Sequence, residues 1–207
     1  MSGTGAEHSP TPVAAVLAGG ASRRMGRAKA VVELGGRPLI SYPLAAVEAA
    51  RLEPIVVCKR ESELPELDCR VVREPAEPRH PLTGIVAALG ASAGAPVVAV
   101  GCDMPFLEPG LIAALAALDD PFAVAESAGR LQPLPGRYPP ALRGDLSAAL
   151  DRALSLRETV TSLGARVLAE SELARFGDPR WLWFSVDDEA DLATAEEALR
   201  ARRAAPP

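Results

Sequence analysis

The chain has 207 residues, enough for one α/β domain with a sizeable core, and carries a net charge of −5 from 22 basic and 27 acidic residues. That balance excludes a nucleic-acid binder working through overall positive potential. Three cysteines (Cys58, Cys69 and Cys102) at long, irregular spacing, with only His8 and His80 as histidines, exclude a disulfide framework, a zinc cage and a Ser-His-Asp triad.

Residues 1–12 are rich in Gly, Ser, Thr and Pro and read as a disordered tail, with residues 204–207 fraying at the other end. No basic-then-apolar leader opens the chain and no apolar run approaches the ~18 residues of a membrane span. A cytoplasmic protein is expected, with neither membrane nor nucleic acid as partner, and one domain over 13–203.

Chemistry begins at once. A β-prone run over 13–17 feeds Leu17-Ala18-Gly19-Gly20, then a cation cluster with Arg23, Arg24 and Lys29. Glycines lacking Cβ and free to take φ > 0 let backbone N–H groups approach phosphate oxygens, and the cations supply charge beyond the turn. The spacing fits neither G-x-x-x-x-G-K-[ST] nor G-x-G-x-x-G, so this is neither a Walker A loop nor a dinucleotide fingerprint. Among the 22 basic residues only Lys29 and Lys59 are lysines, so a chain that favours arginine has placed a compact ammonium after its glycine loop. A small polyphosphate is the expected ligand. The plain alternative is a glycine turn leading into a solvated basic segment.

Further strands are predicted over 54–58, 70–73, 96–102 and 122–126, with helices over 40–50, 83–91 and 108–118 between them. Short unbroken apolar strands alternating with amphipathic helices predict a mostly parallel sheet covered on both faces. Ligands on such a sheet bind at the carboxyl ends of the strands. Asp103 follows the 96–102 strand, where it suits a Mg²⁺ ion bound to phosphate, or alternatively a turn before Pro105. Cys58 and Cys102 read as buried small hydrophobes and His80 as a loop residue. The second half predicts a strand and loop over 129–138, helices over 139–154 and 157–163, strands over 165–169 and 182–186, and a final helix over 189–202. Trp181 and Trp183 read as core aromatics, and Asp187-Asp188 as a favourable start to the last helix.

Four motifs in order, Leu17-Ala-Gly-Gly-x-Ser-x-Arg-Met-Gly-x-x-Lys29, Pro81-Leu-Thr-Gly-Ile85, Cys102-Asp-Met-Pro-Phe-Leu107 and Gln132-Pro-Leu-Pro-Gly136, resemble the molybdenum cofactor guanylyltransferase (MobA-type) family. The resemblance runs from about residue 13 to 199. It implies a three-layer α/β/α sandwich with a Rossmann-like sheet, similar to sugar-nucleotide transferases. It implies Mg²⁺-dependent transfer of GMP from GTP to molybdenum-molybdopterin, whose own ionised phosphate is the nucleophile, so no enzymic base is needed. By the same resemblance Leu17, Ala18, Gly19 and Gly20 contact GTP, Lys29 and Arg24 attend the triphosphate, and Asp103 holds the metal. Gln132, Pro133 and Gly136 fall on the acceptor side, where Arg137 and Tyr138 could present a cation and a ring to a phosphorylated pterin. Partner expectations are GTP, molybdopterin, and transient contact with molybdopterin-synthesis or molybdoenzyme-maturation proteins.

Related cytidylyltransferases carry Leu-Ala-Ala-Gly and Asp-Gln-Pro at the corresponding places, so Gly19 and Met104 favour guanine. The chain departs from the family pattern in three places. Glu74 replaces an Asp, leaving open contact with guanosine, contact with metal, or plain surface charge. His80 stands where the family has glycine. Ser185-Val-Asp-Asp-Glu-Ala-Asp-Leu192 replaces Asn-Val-Asn-Thr-Pro-Glu-Asp-Leu, whose asparagines the resemblance puts on the pterin side, so Asp187 falls with the acceptor-side residues, or else reads as a helix cap or a site for a second cation. Another acceptor (a sugar phosphate or a phospholactate-type acid), cytidylyl transfer, or a non-catalytic GTP-binding role in cofactor insertion are the alternatives.

Overall fold

The computed structural model describes residues 10–20, 27–119 and 121–204. Among the described residues nine strands form in chain order: β1 Val13–Leu17, β2 Glu33–Leu34, β3 Arg37–Pro38, β4 Glu53–Lys59, β5 Arg70–Glu74, β6 Val97–Gly101, β7 Ala123–Ser127, β8 Arg130–Tyr138 and β9 Arg166–Leu168. Eight α-helices among the described residues accompany them: α1 Ser41–Ala49, α2 Pro81–Ala91, α3 Pro109–Ala116, α4 Arg143–Asp151, α5 Leu156–Ser162, α6 Glu170–Leu173, α7 Pro179–Leu182 and α8 Glu189–Ala204.

A seven-stranded sheet has the order β5-β4-β1-β6-β8-β7-β9, and β2 with β3 makes a separate hairpin. Among the described strands of the large sheet β8 alone runs against the others, pairing antiparallel with both β6 and β7. Alternate side chains of a strand face opposite ways, and β1 divides its residues accordingly. Ala14 and Val16 join Val56, Val98 and Val100 under α1 and α3, with Val47, Leu111, Ile112 and Leu115 supplied by the helices. Ala15 joins Ile55, Val57, Val97 and Ala99 on the other face, covered by Leu82, Ile85 and Ala88 of α2 and Leu146 of α4. Both faces are therefore dry, which is why β1 and β6 need no polar alternation. The result is the mostly parallel, helix-covered sheet the alternation predicts.

A third cluster anchors the chain end. Ala195 of α8 and Val186 pack with Val32, Leu34, Leu39 and Phe106, so the last helix lies on the β2–β3 hairpin. The Gly35 N–H donates to Glu196 Oε1 at 2.6 Å across that contact.

Three segments differ from expectation. The predicted strand over 182–186 is instead α7 followed by extended chain. Asp178 caps α7 by accepting from the Arg180 N–H at 2.9 Å, and Pro179 takes the first helical position. The aromatics of this segment pack on one another, with Trp181 edge-on to Phe106 at 4.9 Å between centroids and Phe184 at 5.4 Å from Trp181. The single helix expected over 139–154 is a 3₁₀ turn over Pro140–Leu142 running into α4. Of segment 129–138, Gly129 is a turn and Arg130–Tyr138 is strand, whose register against β7 slips between Ala123 and Ala125, where Pro133 and Pro135 cannot donate to the ladder.

Candidate active site

Strands β1, β4, β5 and β6 end on one edge, and the loops leaving them enclose a cavity of about 180 Å³. Leu17, Gly19 and Gly20 line it from β1, Glu74 from β5, and Gly101 and Asp103 from β6, with Arg79, His80, Pro81 and Gly84 along the entry to α2. The glycine loop and Asp103 thus open into the same crevice. Leu17 C=O accepts from the Cys102 N–H at 3.2 Å and Ala18 N–H donates to Val57 C=O at 2.7 Å, so the loop after β1 is tied to both neighbours.

The glycines act differently from the sequence expectation. Neither Gly19 nor Gly20 takes positive φ. Gly19 is needed for close approach: a Cβ there would sit 1.8 Å from Glu74 Oε1. A Cβ on Gly101 would likewise lie 2.6 Å from Asp103 Oδ1. Both glycines make room for carboxylates.

One end of the site is a cation between two acids. Lys29 opens a 3₁₀ turn over Lys29–Val31, and its Nζ donates to Asp103 Oδ2 at 2.7 Å and to Asp187 Oδ1 at 2.5 Å. Burial alone would lower the Lys29 pKa, but Asp103 and then Asp187 outweigh it and carry it above the ordinary lysine value. The Val186 N–H donates to Asp103 C=O at 2.9 Å, which fixes Asp187 beside it. Asp187 is not the helix cap. That role belongs to Asp188, whose Oδ1 accepts from the Ala190 and Asp191 N–H groups, while Asp191 Oδ2 accepts from the Asp187 and Asp188 N–H groups.

The other end is a buried ion pair that sequence reasoning missed. Lys59 Nζ lies 3.3 Å from Glu74 Oε1, with side chains 2% and 3% exposed. Glu74 is therefore not surface charge. Burial pushes its pKa up, opposed by the Lys59 ammonium. The only hint of Lys59 in the sequence is its rarity: it is the second of two lysines and stands at a strand end.

Other candidates scatter. Arg24, with Arg23, lies outside the described residues. Arg27 is exposed and 3.9 Å from Glu189. Gln132 and Pro133 line a second cavity of about 340 Å³ with Ser155, Leu156 and Arg157, and His80, Pro81 and Leu134 border both cavities. Gly136 pairs with Ala99 inside the sheet, where a Cβ would strike Pro133 C=O at 2.4 Å. Arg137 and Tyr138 face the core, not a ligand: Arg137 Nη1 donates to the Leu115 and Ala116 carbonyls at the end of α3, and Tyr138 is fully buried, donating to Pro133 C=O at 2.8 Å. His80 caps α2, its Nδ1 accepting from the Leu82 N–H at 3.1 Å, and burial lowers its pKa. Cys58 and Cys102 are buried thiols.

A parallel sheet carrying a glycine loop, a lysine and a carboxylate around one crevice at its strand ends defines a nucleotidyltransferase fold. Over residues 14–171 the chain matches the MobA-like NTP transferase domain, and it belongs to that family. It is 37% identical over 205 residues to the molybdenum cofactor guanylyltransferase of Rhizobium johnstonii, covering 91% of this chain and 93% of the relative. It is 35% identical over 199 residues to a probable molybdenum cofactor guanylyltransferase of Mycobacterium avium, covering 88% and 94%. Among solved structures, molybdopterin-guanine dinucleotide biosynthesis protein A of Archaeoglobus fulgidus superposes with a TM-score of 0.73 at 22% identity, over 91% of this chain and 98% of that one. The 2-C-methyl-D-erythritol 4-phosphate cytidylyltransferase of Thermus thermophilus gives 0.67 at 23%, over 91% and 99%. Among the described residues no helix is long and apolar enough to cross a membrane.

Proposed function

We propose that the protein transfers GMP from Mg·GTP to molybdenum-molybdopterin, forming the guanine dinucleotide cofactor and pyrophosphate. The observation that carries this is the shared crevice: Gly19, Gly20, Glu74 and Asp103 line one cavity, with Lys29 bonded to Asp103 at its edge. The relatives named above support guanine and the molybdopterin acceptor.

The donor set suits Mg²⁺. Asp103 and Asp187 present hard carboxylate oxygens that already converge on one cation, the Lys29 ammonium, and Mg²⁺ is commonly held by one or two carboxylates with phosphate oxygens. When bound, Mg²⁺ would offset the negative charge on the phosphate oxygens.

The rest is positioning. Lys29 brings a compact cation to the triphosphate, and Gly19-Gly20 lets it lie close to the backbone. The acceptor phosphate attacks the α-phosphorus, the bond from that phosphorus to the bridging oxygen breaks, and pyrophosphate leaves with the electron pair. An ionised phosphate needs no general base, consistent with a crevice whose histidine is occupied as a helix cap. The adjoining cavity at Gln132 and Pro133, reached past His80 and Leu134, is the place for the acceptor.

Incubation with Mg·GTP and molybdopterin, with CTP and ATP as parallel arms, tests the reading by product mass and pyrophosphate release. Guanine dinucleotide product is expected with GTP alone. Product from CTP only, or none with any nucleotide, overturns it.

A further inference from the structure

Lys59 is more than a buried counter-ion. Its Nζ donates to the Pro75 carbonyl at 2.6 Å and the Pro78 carbonyl at 3.1 Å while lying 3.3 Å from Glu74 Oε1. Those contacts account for all three of its donors. The far oxygen, Glu74 Oε2, is buried and has no hydrogen-bond partner among the described residues, on a residue that lines the cavity. A buried carboxylate oxygen without a donor is unfavourable unless a ligand supplies one. Gly19 and Gly84 leave the space that holds the carboxylate here: a Cβ on Gly84 would be 3.3 Å from Oε2.

We infer that Lys59 is a positioning residue: by engaging Oε1 it fixes which way the Glu74 carboxylate faces and presents Oε2 as a single acceptor to an N–H or O–H donor of the nucleoside. This rests on the guanylyltransferase reading and adds a residue to it. Asp103 and Lys29 gather at the phosphate end, which leaves the nucleoside for the β5 side. A nucleoside offers such donors from the base edge or from the ribose, and the test separates the two.

An ammonium has donors only, so in Glu74→Gln it takes the amide oxygen and turns the NH₂ toward the cavity. A donor then faces a donor. Three variants, Glu74→Gln, Lys59→Met and the double Lys59→Met/Glu74→Gln, are compared by calorimetric binding of GTP, ITP (no 2-amino group) and 2′-deoxy-GTP, with thermal melts to confirm folding. Wild type is expected to prefer GTP over one of the two analogues by about tenfold or more, the range for a hydrogen bond to a charged group. Glu74→Gln should lose that preference. In the double variant the amide is free to flip and offer its oxygen again, so GTP affinity should recover above that of Glu74→Gln.

A merely structural Lys59 predicts the opposite order, with the double variant weaker than either single one. GTP binding by wild type without recovery in the double variant overturns the role of Lys59 alone. Absence of GTP binding by wild type overturns the guanylyltransferase reading, and this inference with it. Should Lys59→Met not fold while the double variant does, the comparison of Glu74→Gln with the double variant still decides.

Discussion

Gly19→Ala is the sharpest test of how the crevice is built. The new Cβ would stand 1.8 Å from Glu74 Oε1 and 2.9 Å from its Cδ, where ordinary contact begins near 3.4 Å. The carboxylate must therefore give way by roughly 1.6 Å, or the loop after β1 must move outward. Glu74 has little freedom to comply, since it is buried and paired with Lys59. Overpacking of this kind costs about 1–3 kcal/mol. The stiffer unfolded chain of an alanine returns only about 0.4–1 kcal/mol, so the clash wins. For a protein of this size the net loss corresponds to a fall in Tm of up to about 10 °C, read by differential scanning fluorimetry. GTP affinity should fall as well. Added to a Glu74→Ala background, the same substitution should turn mildly stabilising, by about 0.4–1 kcal/mol, because the atoms it strikes are gone and only the stiffer unfolded chain remains. Equal destabilisation in both backgrounds would refute the contact. Although cytidylyltransferases of this type resemble the chain with Ala at this place, Gly19→Ala alone should not confer CTP use while Glu74 stays.

Asp103→Asn keeps the acceptor for Lys29 but removes the charge, so turnover should drop by at least about 10²-fold with Tm nearly unchanged; unaltered divalent-dependent turnover would end the metal assignment. Lys29→Met leaves Asp103 and Asp187 without their shared cation and should raise the KM for GTP about tenfold, and wild-type kinetics would remove it from the site. His80, with its pKa depressed by burial, binds fewer protons folded than unfolded, so stability should be complete above the ordinary imidazole range and decline as pH falls below about 6.5. His80→Asn retains a cap without titration and should flatten that decline in chemical denaturation at pH 5; an unchanged pH slope would contradict the neutral-cap assignment.

Much of the sheet was legible because β1 and β6 are unbroken apolar runs punctuated by helices, a pattern with few alternatives. Asp103 was placed by the same logic, at a strand end. What escaped were relations between distant strands: Lys59 with Glu74 is a pairing set by the register of β4 on β5, where the two residues are direct partners. Asp187 was read as a cap because its neighbour Asp188 supplies the same signal one residue later. The apolar stretch over 182–186 fits a strand as well as the turn of helix that Asp178 and Pro179 actually begin before it. Arg137 and Tyr138 looked like ligand groups, but a carbonyl-rich helix end and a buried backbone oxygen claim them first.

Lys29 and Asp187 meet across 158 positions of chain. That contact ties the segment after β1 to the one entering the final helix, so it becomes available only when nearly the whole chain has been made, well after Glu74 and Asp103 have been added.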